Sequence, residues 1–141
     1  MGELDVYVVE TKDQRKKFVS AVLKDMQALE IMLERGMFES GITRIGAEQE
    51  FCFVDKNLRP SSIGLEVLEE LNDSHFTTEL AIFNLEANLD PIVFTGGALS
   101  QLESDLRGLL DKADEKAQAR GARVLLTGIL PTILKDDLEF K

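Results

Sequence analysis

Histidine and cysteine are almost missing from this chain: His75 and Cys52 are the only ones in 141 residues. A single cysteine allows no internal disulfide and no thiol-rich metal site. A single histidine removes multi-histidine zinc sites and argues against a Ser-His-Asp triad. Any resident metal must then be held by oxygen, which favours Mg²⁺, Mn²⁺ or Ca²⁺. Long apolar runs are also missing. None approaches the roughly 20 residues that span a bilayer, so no membrane partner is expected. The start, Met1-Gly2-Glu3-Leu4-Asp5, has neither the basic region nor the apolar core of a signal peptide. Gly2 is not followed by the Ser or Thr of a myristoylation site. The expected location is the cytoplasm. Basic residues are few, 16 against 26 acidic ones, for a formal net charge of −10. Phosphate backbones need a basic surface, so nucleic acid is not an expected partner. Gly96-Gly97 is too short to cradle phosphate, and no Gly-Lys-Ser or Gly-x-Gly-x-x-Gly pattern occurs.

What remains is a globular composition, 44% hydrophobic, of a length that fits one domain over residues 1–141. Thr11 and Gln14 form a capping box. Phe18, Val22, Met26, Leu29 and Leu33 then recur at helical spacing up to about Arg35, and Gly36 is a suitable stop. This stripe, with Met26 and Met32 as filler, is expected to face the core. A strand is predicted from Thr43 to Val54, followed by a turn over Asp55 to Pro60. A short helix capped by Ser61 or Ser62 should turn Ile63, Val67, Leu68 and Leu71 inward and end at Asn72-Asp73-Ser74. A second strand region covers Phe76 to Leu89. Pro91 breaks it, and Thr95-Gly96-Gly97 leads into a helix from Ala98 to Ala119, closed by Gly121. Its apolar stripe is Leu99, Leu102, Leu106, Leu109, Leu110, Ala113 and Ala117. A third, more buried strand is predicted from Arg123 to Leu130, and a loose charged tail from Lys135 to Lys141. The expected class is α+β: an antiparallel or mixed sheet with helices on one face.

The densest chemistry lies in Gly46-Ala47-Glu48-Gln49-Glu50-Phe51-Cys52-Phe53-Val54. Strand alternation places Ile45, Ala47, Phe51 and Phe53 on one face. Glu48, Glu50 and Cys52 take the other. Two carboxylates roughly 6.5–7 Å apart along a strand suit either a solvated face or a shared cation. The next region repeats the layout. Phe83, Leu85, Ala87 and Leu89 share an apolar face, while Asn84, Glu86 and Asn88 share a polar one. Three glutamates facing away from the core, with few cations among them, suit a cation site as well as a solvated face.

These residues resemble a known family. Gly46-Ala47-Glu48-Gln49-Glu50-Phe51, then Glu79-Leu80, then Asn84-Leu85-Glu86-Ala87-Asn88 look like the beginning of the ATP-dependent carboxylate–amine ligases. The nearest likeness is to bacterial-type glutamate–cysteine ligases and the family 2 carboxylate–amine ligases, within the glutamine-synthetase-like superfamily. The resemblance implies that Glu48 and Glu50, and Glu79 and Glu86, are metal ligands for Mg²⁺ or Mn²⁺ acting with ATP. It implies a small-molecule acid and amine as further partners, joined through an acyl phosphate, and the first half of a glutamine-synthetase-like catalytic domain as the fold. It names no acid/base catalyst here. Members of that family are considerably longer, so the resemblance implies an N-terminal piece, inactive alone. A non-catalytic binding domain that keeps the fold is the alternative. Glu79 is odd-numbered and Glu86 even, so a bend near Leu80–Ala81 is required to bring them to one site. A sheet lacking further strands has an open edge, from which a homodimer is expected. Arg44 reads as an ion-pair partner of Glu48, Cys52 as a core or interface thiol, His75 as a surface group, and Asn84 and Asn88 as polar-face filler.

Overall fold

The computed structural model describes Val8, Val9 and residues 11–138. The chain divides into two compact units, Gly2–Ile42 and Thr43–Lys141, where length alone suggested one domain.

The first unit contains helix α1, Lys12–Glu34. Its ends are formed as expected. The Gln14 amide donates to Thr11 Oγ1 (3.2 Å), and the Thr11 amide donates to Gln14 Oε1 (2.9 Å). At the other end Gly36 has a φ of +61°. The Gly36 amide reaches the Leu33 carbonyl and the Met37 amide the Met32 carbonyl, a pair of bonds that closes the last turn only with a left-handed residue between them. The expected burial of the apolar stripe does not hold. No residue of α1 is buried, and Phe18, Val22, Met26, Leu29 and Leu33 are all exposed.

The second unit is built on a four-stranded antiparallel sheet of order β3-β4-β2-β6. Its strands are β2 (Glu48–Val54), β3 (Phe76–Thr78), β4 (Asn84–Asn88) and β6 (Arg123–Leu125). Beside it stands a two-stranded ladder of β1 (Arg44–Ile45) and β5 (Ile92–Val93). The first predicted strand is thus two strands. The Leu89 amide still donates to the Ala47 carbonyl (2.9 Å), but Pro91 has no N–H to continue the ladder. It lies beside Gly46, where an added Cβ would stand 3.9 Å from the proline ring. The second predicted strand is also two strands. β3 and β4 pair antiparallel, with residues 79–83 as the turn between them.

Helices α2 (Gly64–Leu71) and α3 (Ala98–Gln118) cover one face. Phe51, Phe53, Leu85 and Ala87 from the sheet pack there with Phe76, Val67 and Leu109. Phe51 meets Phe53 and Phe76 edge-to-face, with centroids 5.5 and 6.4 Å apart, the geometry aromatic quadrupoles prefer. Ala113, Ala117 and Ala122 are buried, so small side chains let α3 lie close to the sheet. Leu99, placed on this stripe by spacing, is exposed instead.

Three further expectations are corrected. Neither Ser61 nor Ser62 caps α2. Ile63 occupies the cap without a side-chain bond, and the Gly64 amide donates to the Ile82 carbonyl (3.0 Å). The third strand is three residues long and is a half-exposed sheet edge, not a buried centre. Its apolar continuation leaves the sheet, with Leu126 and Ile129 exposed and Leu130 buried elsewhere. Of the tail, Lys135–Asp137 form a 3₁₀ turn, held by an Arg59–Asp137 ion pair (2.6 Å). Residues 139–141 lie outside the described residues.

Candidate metal centre

The opposite face of the sheet is divided in two. At one end Cys52 and Val54 of β2 are covered by Ala81, Phe83 and Leu130. Phe83 therefore does not share the face of Leu85 as alternation predicted. It precedes β4, inside the turn, and plugs the far side of the sheet. At the other end the polar residues of β2 and β4 come into register: Glu48 opposite Asn88, and Glu50 opposite Glu86.

The turn after β3 brings in the third carboxylate. Thr77 pairs with Glu86, so Glu79, two residues on, keeps the same side of the chain. The bend required near Leu80–Ala81 is a full reversal. An odd and an even residue then share one face because the register pairs odd-numbered Thr77 with even-numbered Glu86. The turn is held from three sides. The Gly64 amide bonds the Ile82 carbonyl, the Phe53 amide bonds the Phe83 carbonyl (2.7 Å), and the Asn84 amide bonds the Ala81 carbonyl (3.2 Å). The Asn84 side chain accepts from the Ala81 amide (3.2 Å). Asn84 thus shapes the turn and is more than filler. Gly64 cannot be larger, since a Cβ there would lie 2.6 Å from the Ile82 carbonyl oxygen.

As a result Glu50, Glu79 and Glu86 converge. One carboxylate oxygen from each lies within 4.8 Å of the other two. Oxygen ligands sit about 2.0–2.6 Å from Mg²⁺ or Ca²⁺, so oxygens on one ion are separated by up to about 4–5 Å. Glu79 and Glu86 are buried, at 9% and 7% exposure. Glu50 is exposed. Glu86 Oε1 is enclosed and has no hydrogen-bond partner. A buried carboxylate oxygen without a donor is costly, and a hard cation satisfies it. Burial pushes the Glu79 carboxyl above its ordinary value of 4.5, and the charges of Glu50 and then Glu86 push it the same way. Desolvation and the neighbouring carboxylates thus both favour the neutral form of Glu79.

Of the four predicted ligands, three meet at one point. Glu48 lies on the same face two residues along β2, exposed and outside the cluster. Arg44 is on β1 opposite Val93, in a different sheet from Glu48. Cys52 is buried, and burial followed by the Glu50 charge pushes its thiol up, which suits a packing residue and not a nucleophile. His75 lies between two aspartates. Its Nδ1 is 2.7 Å from Asp73 and its Nε2 is 3.5 Å from Asp90. Local sequence shows no sign of this clasp, because Asp90 reaches His75 from just beyond the end of β4.

No described helix is long and apolar enough to cross a membrane. Comparison with known protein families, curated proteins and solved structures finds no match to this chain.

Proposed function

We propose that this chain supplies divalent-cation ligands to an ATP-dependent carboxylate–amine ligase of the glutamate–cysteine type. Mg²⁺ or Mn²⁺ would be the ion, and ATP with a small-molecule acid and amine the partners. The observation that carries this is the convergence of Glu50, Glu79 and Glu86 around an enclosed, unpartnered oxygen of Glu86. When bound, the ion would neutralise the phosphate charge that builds as an acyl phosphate forms, and align the reacting oxygens.

The chain's own residues hold that position. Glu79 and Glu86 supply oxygens from the buried side, fixed by the β3–β4 turn. Glu50 is exposed and leaves a side open from which phosphate oxygens can approach. Glu48, on the same face, is placed for a neighbouring ion. None of the four is assigned as an acid/base catalyst. A cytoplasmic location goes with the use of ATP.

One observation favours a second reading, a non-catalytic binding domain that keeps the fold. The residues of β2 and β4 on the acidic side are Glu48, Glu50, Cys52, Val54, Asn84, Glu86 and Asn88, with no lysine or arginine to hold phosphate. The chain alone is therefore expected to be inactive. Calorimetric titration separates the two. The ligase reading expects ATP to bind only when Mn²⁺ is present, and Glu86→Gln to abolish that binding. Mn²⁺ binding with no effect on ATP supports the binding domain. ATP turnover at about 1 s⁻¹ or faster with glutamate and a panel of amines would overturn the expected inactivity.

A further inference from the structure

Helix α1 is amphipathic in its own right, yet none of its 23 residues is buried. Val19, Val22, Met26, Leu29 and Leu33 are spaced by alternating intervals of three and four, the spacing of a two-helix seam. All five are exposed, Met26 at 62% and Leu33 at 63%. Leu23, Met26, Leu29 and Leu33 form one open apolar face of the helix. The charges are divided along the helix. Lys12, Arg15, Lys16 and Lys17 fill its first turns against one acid, Asp13. Asp25, Glu30 and Glu34 follow towards the other end, with Lys24 beside Asp25 and Arg35 at the C-cap.

We infer that α1 pairs antiparallel with α1 of a second copy of this chain. A parallel pair would set basic end against basic end, and like charges along a seam are repelled. An antiparallel pair sets the basic end of each helix along the acidic end of the other. One register closes the apolar seam and sets Lys16 against Glu30; it also places Leu33 beside Arg15 and the Asp25 of one copy beside that of the other. Val19 of each copy packs on Leu29 of the other, and Val22 on Met26. Phe18 flanks Met32, and Lys16 meets Glu30. This is independent of the cation site, which lies in the other unit.

Sedimentation equilibrium of the full chain at about 100 µM, a concentration suited to a short seam, tests it. A dimer is expected, weakening with salt as screened ion pairs do. Leu29→Glu should give a monomer with unchanged helix content. Lys16→Glu and Glu30→Lys should each weaken dimerisation about tenfold, because two symmetric pairs change sign. The double reversal should restore it. A monomeric wild type overturns the inference. So does a dimer indifferent to Leu29→Glu, which would place the contact at another surface such as the β6 edge. Single reversals that weaken the dimer without rescue in the double variant overturn the proposed register.

Discussion

Glu50 and Glu86 stand directly opposite each other on neighbouring antiparallel strands, with Glu79 beside them. Like charges at such positions destabilise a sheet, and here one of the pair is buried. A divalent cation bound among the three carboxylates would remove that repulsion.

The first prediction concerns that repulsion. Mn²⁺ should raise the melting temperature by a few degrees when present well above its dissociation constant. Glu86→Gln should stabilise the cation-free protein by about 1 kcal/mol and remove the Mn²⁺ response. Glu69→Gln, on exposed helix surface, should leave the response intact. Thermal unfolding at matched ionic strength distinguishes them, and equal responses of the two variants would sink the site.

A second prediction follows from Glu79. Its folded-state value is raised above 4.5, by burial first and by Glu50 and Glu86 next. The folded protein therefore holds this proton more tightly than the unfolded chain does. Stability from this group is lost as pH rises through the folded value. Urea unfolding as the pH is raised from 4.5 through the folded value should show a falling component in the wild type that is missing in Glu79→Gln. Mn²⁺ must displace the same proton, so its affinity should rise over that window and its binding should release acid.

The third prediction uses the lone histidine, whose Hε1 proton can be followed without overlap from other histidines in an NMR titration. His75 should titrate above 6.5, raised chiefly by its hydrogen bond to Asp73, with a smaller contribution from Asp90. Asp73 is held down to about 2, mainly by His75 and then by Lys112. The sign is opposite for the two partners. Stabilisation from His75 is complete below 6.5 and lost as pH rises through its folded value. Stabilisation from Asp73 is present above 3.8 and lost as pH falls towards about 2. Asp73→Asn should bring His75 back towards 6.5. An unshifted wild-type titration would count against the clasp.

Gly64→Ala provides a fourth test. Alanine is the better helix former by about 1 kcal/mol, yet its Cβ would meet the Ile82 carbonyl. Net destabilisation of about 1–3 kcal/mol is expected by urea unfolding. Because Ile82 belongs to the turn after Glu79, the Mn²⁺ response should weaken as well. Gain of stability would mean that the turn is not held as described.

Much of the site was legible locally. Alternation along residues 48–54 correctly separated Glu50 from Phe51 and Phe53, since a strand has no other way to place them. The convergence of Glu79 with Glu86 required more. Leu80-Ala81-Ile82-Phe83 has no Asn-Gly or Asp-Gly turn signal. Its reversal is fixed by Gly64, Phe53 and Asn84, and only Asn84 is near in sequence. The edge position of β6 was hidden for a similar reason: apolar residues 126–130 read as a buried strand, yet only Leu130 finds a pocket. Periodicity likewise marks the apolar stripe of α1 but not what covers it.

The pairing of β3, β4 and β2 also makes the three carboxylates a gauge of alignment. A slip of one residue between β4 and β2 would turn Glu86 towards the helices and bring Leu85 or Ala87 to the acidic side. No two-strand subset of the sheet contains the whole cluster. An ion that requires all three oxygens therefore recognises a correctly assembled sheet and discriminates against every shifted one. Its binding strength would then measure how faithfully the strands have found their partners.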